Sequence, residues 1–174
     1  MTDGSLTGHH RAASRRKTFG VGFVVAAIVI VVDQLTKNWA INALDGGRRI
    51  HIIWTLQFNL TYNSGMAFSK GSGLGPVIGA IAVIVVVGLV ISLRRVSNTA
   101  TLLATGLIIG GAIGNIVDRL LRGDGWFHGS VIDFIDFQWW PIFNVADMSV
   151  MIGAAMMVFG VSRPRGKIDP LSLS

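Results

Sequence analysis

Residues 129 to 147 read GSVIDFIDFQWWPIFNVAD and contain three of the nine acidic residues of the chain. The three are Asp133, Asp136 and Asp147, and their neighbours are Phe, Ile, Val and Trp. An ionised aspartate at the centre of a membrane helix costs about 2.5 to 3.5 kcal/mol. Aspartates in such apolar surroundings therefore indicate a functional site, unless a nearby cation neutralises them.

The composition around this stretch is that of a membrane protein. Of the 174 residues, 51% are hydrophobic and only 14% are charged, which is unusual for a soluble domain. The chain has no cysteine, so disulfides, thiolate metal sites and a cysteine nucleophile are excluded. The net charge of +6 does not indicate a nucleic-acid partner, because Lys and Arg cluster at the ends of apolar runs, where they set membrane topology.

Four apolar runs approach the roughly 20 residues that a membrane helix needs. They predict an all-α membrane protein, a bundle of four transmembrane helices, with spans at about 19–41, 74–93, 96–118 and 144–162. A membrane domain over 19–162 would then lie between a disordered basic tail, 1–18, and a second tail, 163–174. The positive-inside tendency places both tails in the cytoplasm and the loops 42–73 and 119–143 outside. All five Trp residues fall in or beside those outer loops, as an interfacial aromatic belt would.

This topology gathers the polar residues of the spans at the outer membrane face. They lie at the outer ends of the first, third and fourth spans: Asp33, Asn115, Asp118, Asn144 and Asp147. The spacing of three residues within the third and fourth spans places two of them on one helix face in each case. In the third span, small residues at every fourth position from Gly106 to Gly114 predict close helix packing.

The first outer loop has the periodicity of a strand. From Ile50 to Asn63 the even positions are all apolar, and six of the seven odd positions are polar. A run of this length exceeds the usual strand, so we expect a bend or a curled hairpin. The first outer loop would then form a small periplasmic β-sheet, or cradle, that lies on the membrane and covers the polar cluster. It ends in a turn at Asn63-Ser64-Gly65.

Few side chains at the outer face could cleave an amide bond. Ser130 and Ser149 have no evident histidine partner, and His128 stands alone in a glycine-rich loop. Asp and Asn with one loop His lack metal-ligand spacing, so we expect no metal site. Two carboxylates remain. Held close together in a site of low dielectric constant, they share one proton and can activate a water molecule as a unit.

Five motifs in the chain also resemble those of the lipoprotein signal peptidases, or signal peptidase II. They occur in the expected order over roughly residues 19 to 162: Asp33-Gln-Leu-Thr-Lys37, Asn63-Ser-Gly-Met-Ala-Phe68, Gly114-Asn-Ile-Val-Asp-Arg119, Val131-Ile-Asp-Phe134 and Phe143-Asn-Val-Ala-Asp147. The resemblance implies an aspartic endopeptidase of the bacterial inner membrane. Such an enzyme removes the signal peptide of a prolipoprotein before a diacylglyceryl-modified cysteine, without metal or cofactor.

The resemblance also assigns residues. Its catalytic pair falls on Asp133 and Asp147, and its supporting positions fall on Asp33, Asn63, Gly65, Asn115, Arg119 and Asn144. Asp136 is an extra carboxylate and the alternative to Asp133.

From the residues themselves we expect Asp33 and Lys37 to form an interfacial ion pair. We expect Arg119 to pair with Asp118 or another nearby carboxylate, with direct contact to substrate as the alternative. Asn115 and Asn144 would either donate to a carboxylate or the substrate backbone, or form ordinary hydrogen bonds between helices.

A small proton-coupled transporter and a non-catalytic scaffold are the competing functions, because carboxylates in membrane helices often mark ion paths. The polar residues cluster at one face, however, and leave no polar route across the membrane. The expected partners are therefore lipid-modified prolipoprotein signal peptides and membrane lipid, with no nucleic acid, and we expect a monomer.

Overall fold

The computed structural model describes residues 6–65, 74–94, 96 and 98–160, with side chains from residue 20 onward. Four helices and three strands make up this part of the chain. The helices are α1 (Leu6–Ala43), α2 (Gly75–Leu93), α3 (Thr99–Leu121) and α4 (Val145–Gly160), and the strands are β1 (Arg49–Ile53), β2 (Leu56–Asn63) and β3 (Val131–Asp136).

Three of the helices are long and apolar enough to cross a membrane. They are the Gly20–Ala43 part of α1, all of α2 and all of α3, whereas α4 is apolar but has only 16 residues. These lengths are those of a multi-pass membrane protein. Residues 161 and 162 of the fourth predicted span, 144–162, lie outside the described residues.

The first helix begins earlier than predicted. Residues 6 to 18 continue α1 without a break, although we expected them to form a disordered tail. The reason is local, because Leu, Ala, Arg and Lys in this segment are strong helix formers and no proline interrupts them. Residues 1–5 and the tail 163–174 lie outside the part of the chain that the structure describes.

Helix α3 is the centre of the bundle and packs against the other three helices. Its glycines permit the close approach that their spacing predicts. A Cβ atom built on Gly110 would lie 2.8 Å from the Ala26 backbone oxygen of α1, and one built on Gly153 of α4 would lie 2.6 Å from the Ala104 backbone oxygen. Both distances are too short for a side chain, so these helices pack backbone to backbone.

The three strands form one antiparallel sheet in the order β1, β2, β3. The predicted long strand is a hairpin, and it reverses after β1 at Trp54, whose φ of 52° is unusual for a residue with a side chain. We did not predict β3, which lies inside the predicted outer loop 119–143. All but one of its residues are buried, so it lacks the alternation that reveals a strand with one solvated face.

Candidate active site

Asn144 forms hydrogen bonds with both of the carboxylates predicted from the sequence, Asp133 and Asp147. It directly precedes α4, and its side-chain oxygen accepts a hydrogen bond from the Asp147 backbone N–H at 2.9 Å. Asp147 Oδ2 in turn accepts from the Asn144 backbone N–H at 3.3 Å, which makes a reciprocal helix cap. The Asn144 amide also donates to Asp133 Oδ1 at 2.6 Å. The cap of α4 thereby places Asp147 and Asp133 on either side of one asparagine.

Asp133 lies on β3 and is almost fully buried, with 2% of its surface exposed. Burial raises the pKa of its carboxyl to about 6, from an ordinary value near 3.8. The negative charge of Asp147 also raises the pKa. The hydrogen bonds from Asn63 and Asn144 and the charge of Lys37 lower it, and the Asn63 bond is the strongest of these three. Near neutral pH this carboxyl can therefore hold or release a proton.

Asn63 reaches Asp133 from the end of β2. Its amide nitrogen donates to Asp133 Oδ2 at 3.0 Å, while its oxygen accepts from the Gly65 backbone N–H at 2.9 Å. Gly65 adopts a φ of 86°, which glycine tolerates without strain. The predicted turn thus fixes which end of the Asn63 amide faces the carboxylate.

Asn115 donates to Asp147 in the same way as Asn63 donates to Asp133. Its amide nitrogen donates to Asp147 Oδ1 at 2.8 Å. Its oxygen accepts from Lys37 Nζ at 2.9 Å and from the Asn144 amide at 3.2 Å. Because an ammonium group can only donate, Lys37 holds the oxygen of Asn115 towards itself and turns the NH₂ group towards Asp147. Asn115 and Asn144 therefore bond to carboxylates and also link elements of the bundle.

Lys37 belongs to a fully buried ion cluster between α1 and α3. Its Nζ lies 2.8 Å from Asp33 Oδ2 and 2.8 Å from Asp118 Oδ2. The Asp33–Lys37 pair is the one we predicted, although it is enclosed by protein. Asp33 Oδ1 also accepts from the backbone N–H of Ala146 at 2.9 Å, next to Asp147. A Cβ on Gly114 would lie only 2.6 Å from Asp33 Oδ2, so the cluster needs a glycine there.

The charge of Arg119 interacts with Asp118, but within the described residues the two form no hydrogen bond or salt bridge. Asp118 bonds to Lys37 and to Arg122, whose Nε lies 2.9 Å from Asp118 Oδ1. The reason is helix geometry, because Arg122 lies one turn after Asp118 on the same face. Arg119 instead donates to the Asn115 backbone oxygen at 3.2 Å, and its buried Nε has no hydrogen-bond partner among the described residues. Its charge interacts with Asp133 and Asp147.

Asp136, the alternative to Asp133, has a different environment. Its Oδ2 accepts from Gln57 at 2.8 Å and Asn59 at 3.1 Å, and its Oδ1 accepts from the Gln138 backbone N–H at 2.6 Å. Burial alone would raise its pKa, but these bonds outweigh burial and hold the pKa below its ordinary range. Asp136 thus stays ionised and bonds to β2 and the following turn, not to the asparagines of the pair.

Two residues at the site, Gln34 and Arg122, were not predicted from the sequence. Gln34 donates to Asp118 Oδ1 at 3.1 Å, and Arg122 donates to the same oxygen. The spacing of four residues between Asp118 and Arg122 could have identified the second contact, whereas the first depends on how α1 meets α3. No cluster of three or more His, Cys, Asp or Glu residues that could hold a metal occurs within the described ranges.

Comparison with known proteins places this arrangement in a family. The family model described as Signal peptidase (SPase) II matches residues 25–163. A lipoprotein signal peptidase of Rhodococcus jostii is 39% identical over 137 residues, which are 78% of this chain and 69% of that protein. Those of Mycobacterium tuberculosis and Mycolicibacterium smegmatis are each 44% identical over 135 residues, or 77% of this chain. The match covers 67% of the former and only 57% of the latter.

Solved structures agree with the sequence matches. One bacterial membrane enzyme has a TM-score of 0.74 at 27% identity and covers 89% of this chain and 95% of its own. A second has a TM-score of 0.73 at 28% identity, with 83% and 94% covered. The family model matches residues 25–163, and the relative from Rhodococcus jostii is 39% identical over 78% of this chain. The chain therefore belongs to the signal peptidase II family.

Proposed function

We propose that this protein removes the signal peptide from bacterial prolipoproteins as an aspartic endopeptidase, cutting before a diacylglyceryl-modified cysteine. Membership of the signal peptidase II family supports the reaction and its substrate class. Asp133 and Asp147 are the proposed catalytic pair. The observation that carries this assignment is that Asn144 bonds to both carboxylates at the start of α4.

The chemistry follows from two carboxylates in one buried site. With the pKa of Asp133 near 6 and the charge of Asp147 close by, the form of the pair that holds one proton becomes populated as the pH falls towards 6. The ionised member takes a proton from water, and the water oxygen forms a bond to the scissile carbonyl carbon while the protonated member protonates the carbonyl oxygen. Transfer of a proton to the cysteine nitrogen then breaks the C–N bond and releases the signal peptide.

The supporting residues set the geometry and charge of this pair. Asn63 and Asn115 each present an NH₂ group to a carboxylate, because other groups bind their amide oxygens. Arg119 contributes a positive charge near both carboxylates, and its Nε, which has no partner in the described part of the chain, is the proposed donor to a substrate carbonyl. Its buried position favours a role in the site over a role on the surface.

In the membrane we propose four spans within the domain 19–162, with both tails in the cytoplasm and the active site near the outer face of the inner membrane. The apolar helices and the membrane enzymes of similar fold support a multi-pass protein. We propose that the enzyme acts as a monomer, without metal or cofactor. The transporter alternative has no support from the family to which the chain belongs.

The test is cleavage of a lipidated precursor peptide by the purified full-length chain in detergent, beside an unlipidated peptide. Asp133→Asn and Asp147→Asn should each lower kcat by at least about 10²-fold, the contribution of general acid–base catalysis. Asp45→Asn, at an exposed position, is the matched control and should retain activity. Near-normal turnover by either catalytic variant would refute the assignment, and equal cleavage of both peptides would remove the lipid requirement.

A further inference from the structure

Asp118 of α3 binds the backbone of β3 directly beside Asp133. The N–H of Ile132, the residue before Asp133, donates to Asp118 Oδ2 at 3.2 Å. All three residues are buried, with at most 2% of their surfaces exposed, so water does not compete for this bond. Hydrogen bonds to an ionised carboxylate are shorter and stronger than neutral ones. Asp118 therefore fixes β3 at the point where the Asp133 side chain leaves the strand.

Asp33 of α1 makes the corresponding contact with α4. The N–H of Ala146, the residue before Asp147, donates to Asp33 Oδ1 at 2.9 Å, and both partners are fully buried. This N–H belongs to the first turn of α4, where backbone donors have no partner within the helix and a negative charge is favourable. Asp33 therefore fixes the helical turn that carries Asp147.

Lys37 joins these two carboxylates. Its Nζ lies 2.8 Å from Asp33 Oδ2 and 2.8 Å from Asp118 Oδ2, and all three side chains are fully buried. The third partner of the ammonium group is Asn115 Oδ1, so its three donors have three acceptors. Two buried carboxylates repel each other unless a cation lies between them. One cation thus determines how far apart the two carboxylates lie, and with them the backbone segments that they bind.

We propose that Lys37, Asp33 and Asp118 form a bridge of positioning residues that sets the separation of the proposed catalytic pair. This proposal rests on the proposed function. The bridge reaches β3 through Asp118 and α4 through Asp33, and it acts on the backbone beside each catalytic aspartate without touching the reacting atoms. Two carboxylates that act on one water molecule work only at a fixed distance, and a misplacement of about 1 Å can cost about 10²-fold in rate.

The first experiment compares Lys37→Met with a destabilised variant far from the bridge. Leu102→Ala opens the apolar core formed with Ala26, Leu93 and Ile109, about 24 Å along α3 from Asp118, and should also lower Tm. Cleavage of the lipidated precursor peptide is measured in detergent at a temperature at which both variants are folded. Lys37→Met should lower kcat about 10²-fold with little change in KM, because the pair is misplaced while the substrate still binds. Leu102→Ala should retain kcat. Retained kcat in Lys37→Met, or an equal loss in both variants, would overturn the proposal.

The bridge can also be tested without removing its cation. Asp33→Asn and Asp118→Asn each break it at one end, so the double variant should lose little more kcat than the more impaired single variant. Fold-losses that multiply in the double variant would mean that the two carboxylates act independently, which would overturn the bridge.

A third experiment does not depend on cleavage. Amide hydrogen exchange in Lys37→Met should be at least about tenfold faster at both Ile132 and Ala146, as expected when a hydrogen bond to a charged group is lost. The N–H of Phe134, which donates to the Phe143 backbone oxygen, reports whether β3 as a whole has opened. Faster exchange at only one of the two amides, or at neither, would overturn the bridge.

The two proposals can fail separately. Faster exchange at both amides in a protein whose wild type cleaves no lipopeptide would refute the proposed function and leave the bridge between β3 and α4 standing. Cleavage by the wild type, with kcat retained in Lys37→Met, would refute the positioning role and leave the proposed function standing.

Discussion

Replacing Asn63 by Ala tests the proton chemistry of the proposed catalytic pair. Asn63 donates a 3.0 Å hydrogen bond to the Asp133 carboxylate, and this bond is the largest influence that lowers the pKa of Asp133. Hydrogen bonds to charged groups contribute about 1.5 to 3 kcal/mol, and 1.36 kcal/mol corresponds to one pH unit. Water can replace part of the lost bond, so we expect the pKa of Asp133 to rise by about one pH unit.

The pKa of Asp133 should rise in Asn63→Ala because the lost hydrogen bond favours the ionised form of the carboxyl. Without Asn63 the carboxyl keeps its proton to higher pH, so the alkaline limb of the kcat/KM profile should move from near pH 6 to about pH 7. The assay is lipopeptide cleavage across a pH series in one detergent. The absolute rate of the variant can fall through loss of substrate contacts, but the pH at which the alkaline limb falls reports the pKa of Asp133.

The matched control is Asn59→Ala in the same strand. Asn59 makes an equivalent 3.1 Å bond, but to Asp136. Its removal should leave the alkaline limb of the profile in place. An alkaline limb that stays fixed in Asn63→Ala, or moves to lower pH, would show that Asp133 is not the group whose proton the reaction needs.

Three further substitutions test the architecture. Lys37→Met leaves Asp33 buried without a cation, while Asp118 keeps Arg122, so the free energy of unfolding should fall by about 3 to 5 kcal/mol in thermal or denaturant unfolding; an unchanged stability would contradict the buried ion cluster. Gly114→Ala places a methyl group 2.6 Å from Asp33 Oδ2 and should lower both stability and activity, whereas Gly88→Ala, with open space around it, should not. Asp136→Asn weakens a charged acceptor of three hydrogen bonds and should cost about 1 to 2 kcal/mol of stability while cleavage persists; loss of cleavage in a folded variant would make Asp136 the catalytic residue.

Local patterns were sufficient for much of the fold. The apolar runs predicted the long helices, since a bilayer demands about 20 apolar residues whatever surrounds them. The alternation from residue 50 to 63 predicted the hairpin, because a sheet with one polar face must alternate. Strand β3 has no such signal, since it is buried on both faces, and it was missed. The helical extension to Leu6 has no apolar periodicity, so the sequence pattern does not predict it.

The sequence by itself determined which carboxylates are candidates, because an aspartate among apolar residues is costly and the chain has few of them. It also determined the Asp33–Lys37 pair, which needs only one helical turn. Only the tertiary structure decided that Asp118 pairs with Lys37 of α1, and that Asn144 joins Asp133 to Asp147. Those contacts depend on how α3, α4 and the sheet meet, and residues far apart in the chain carry no local spacing that could reveal where they meet.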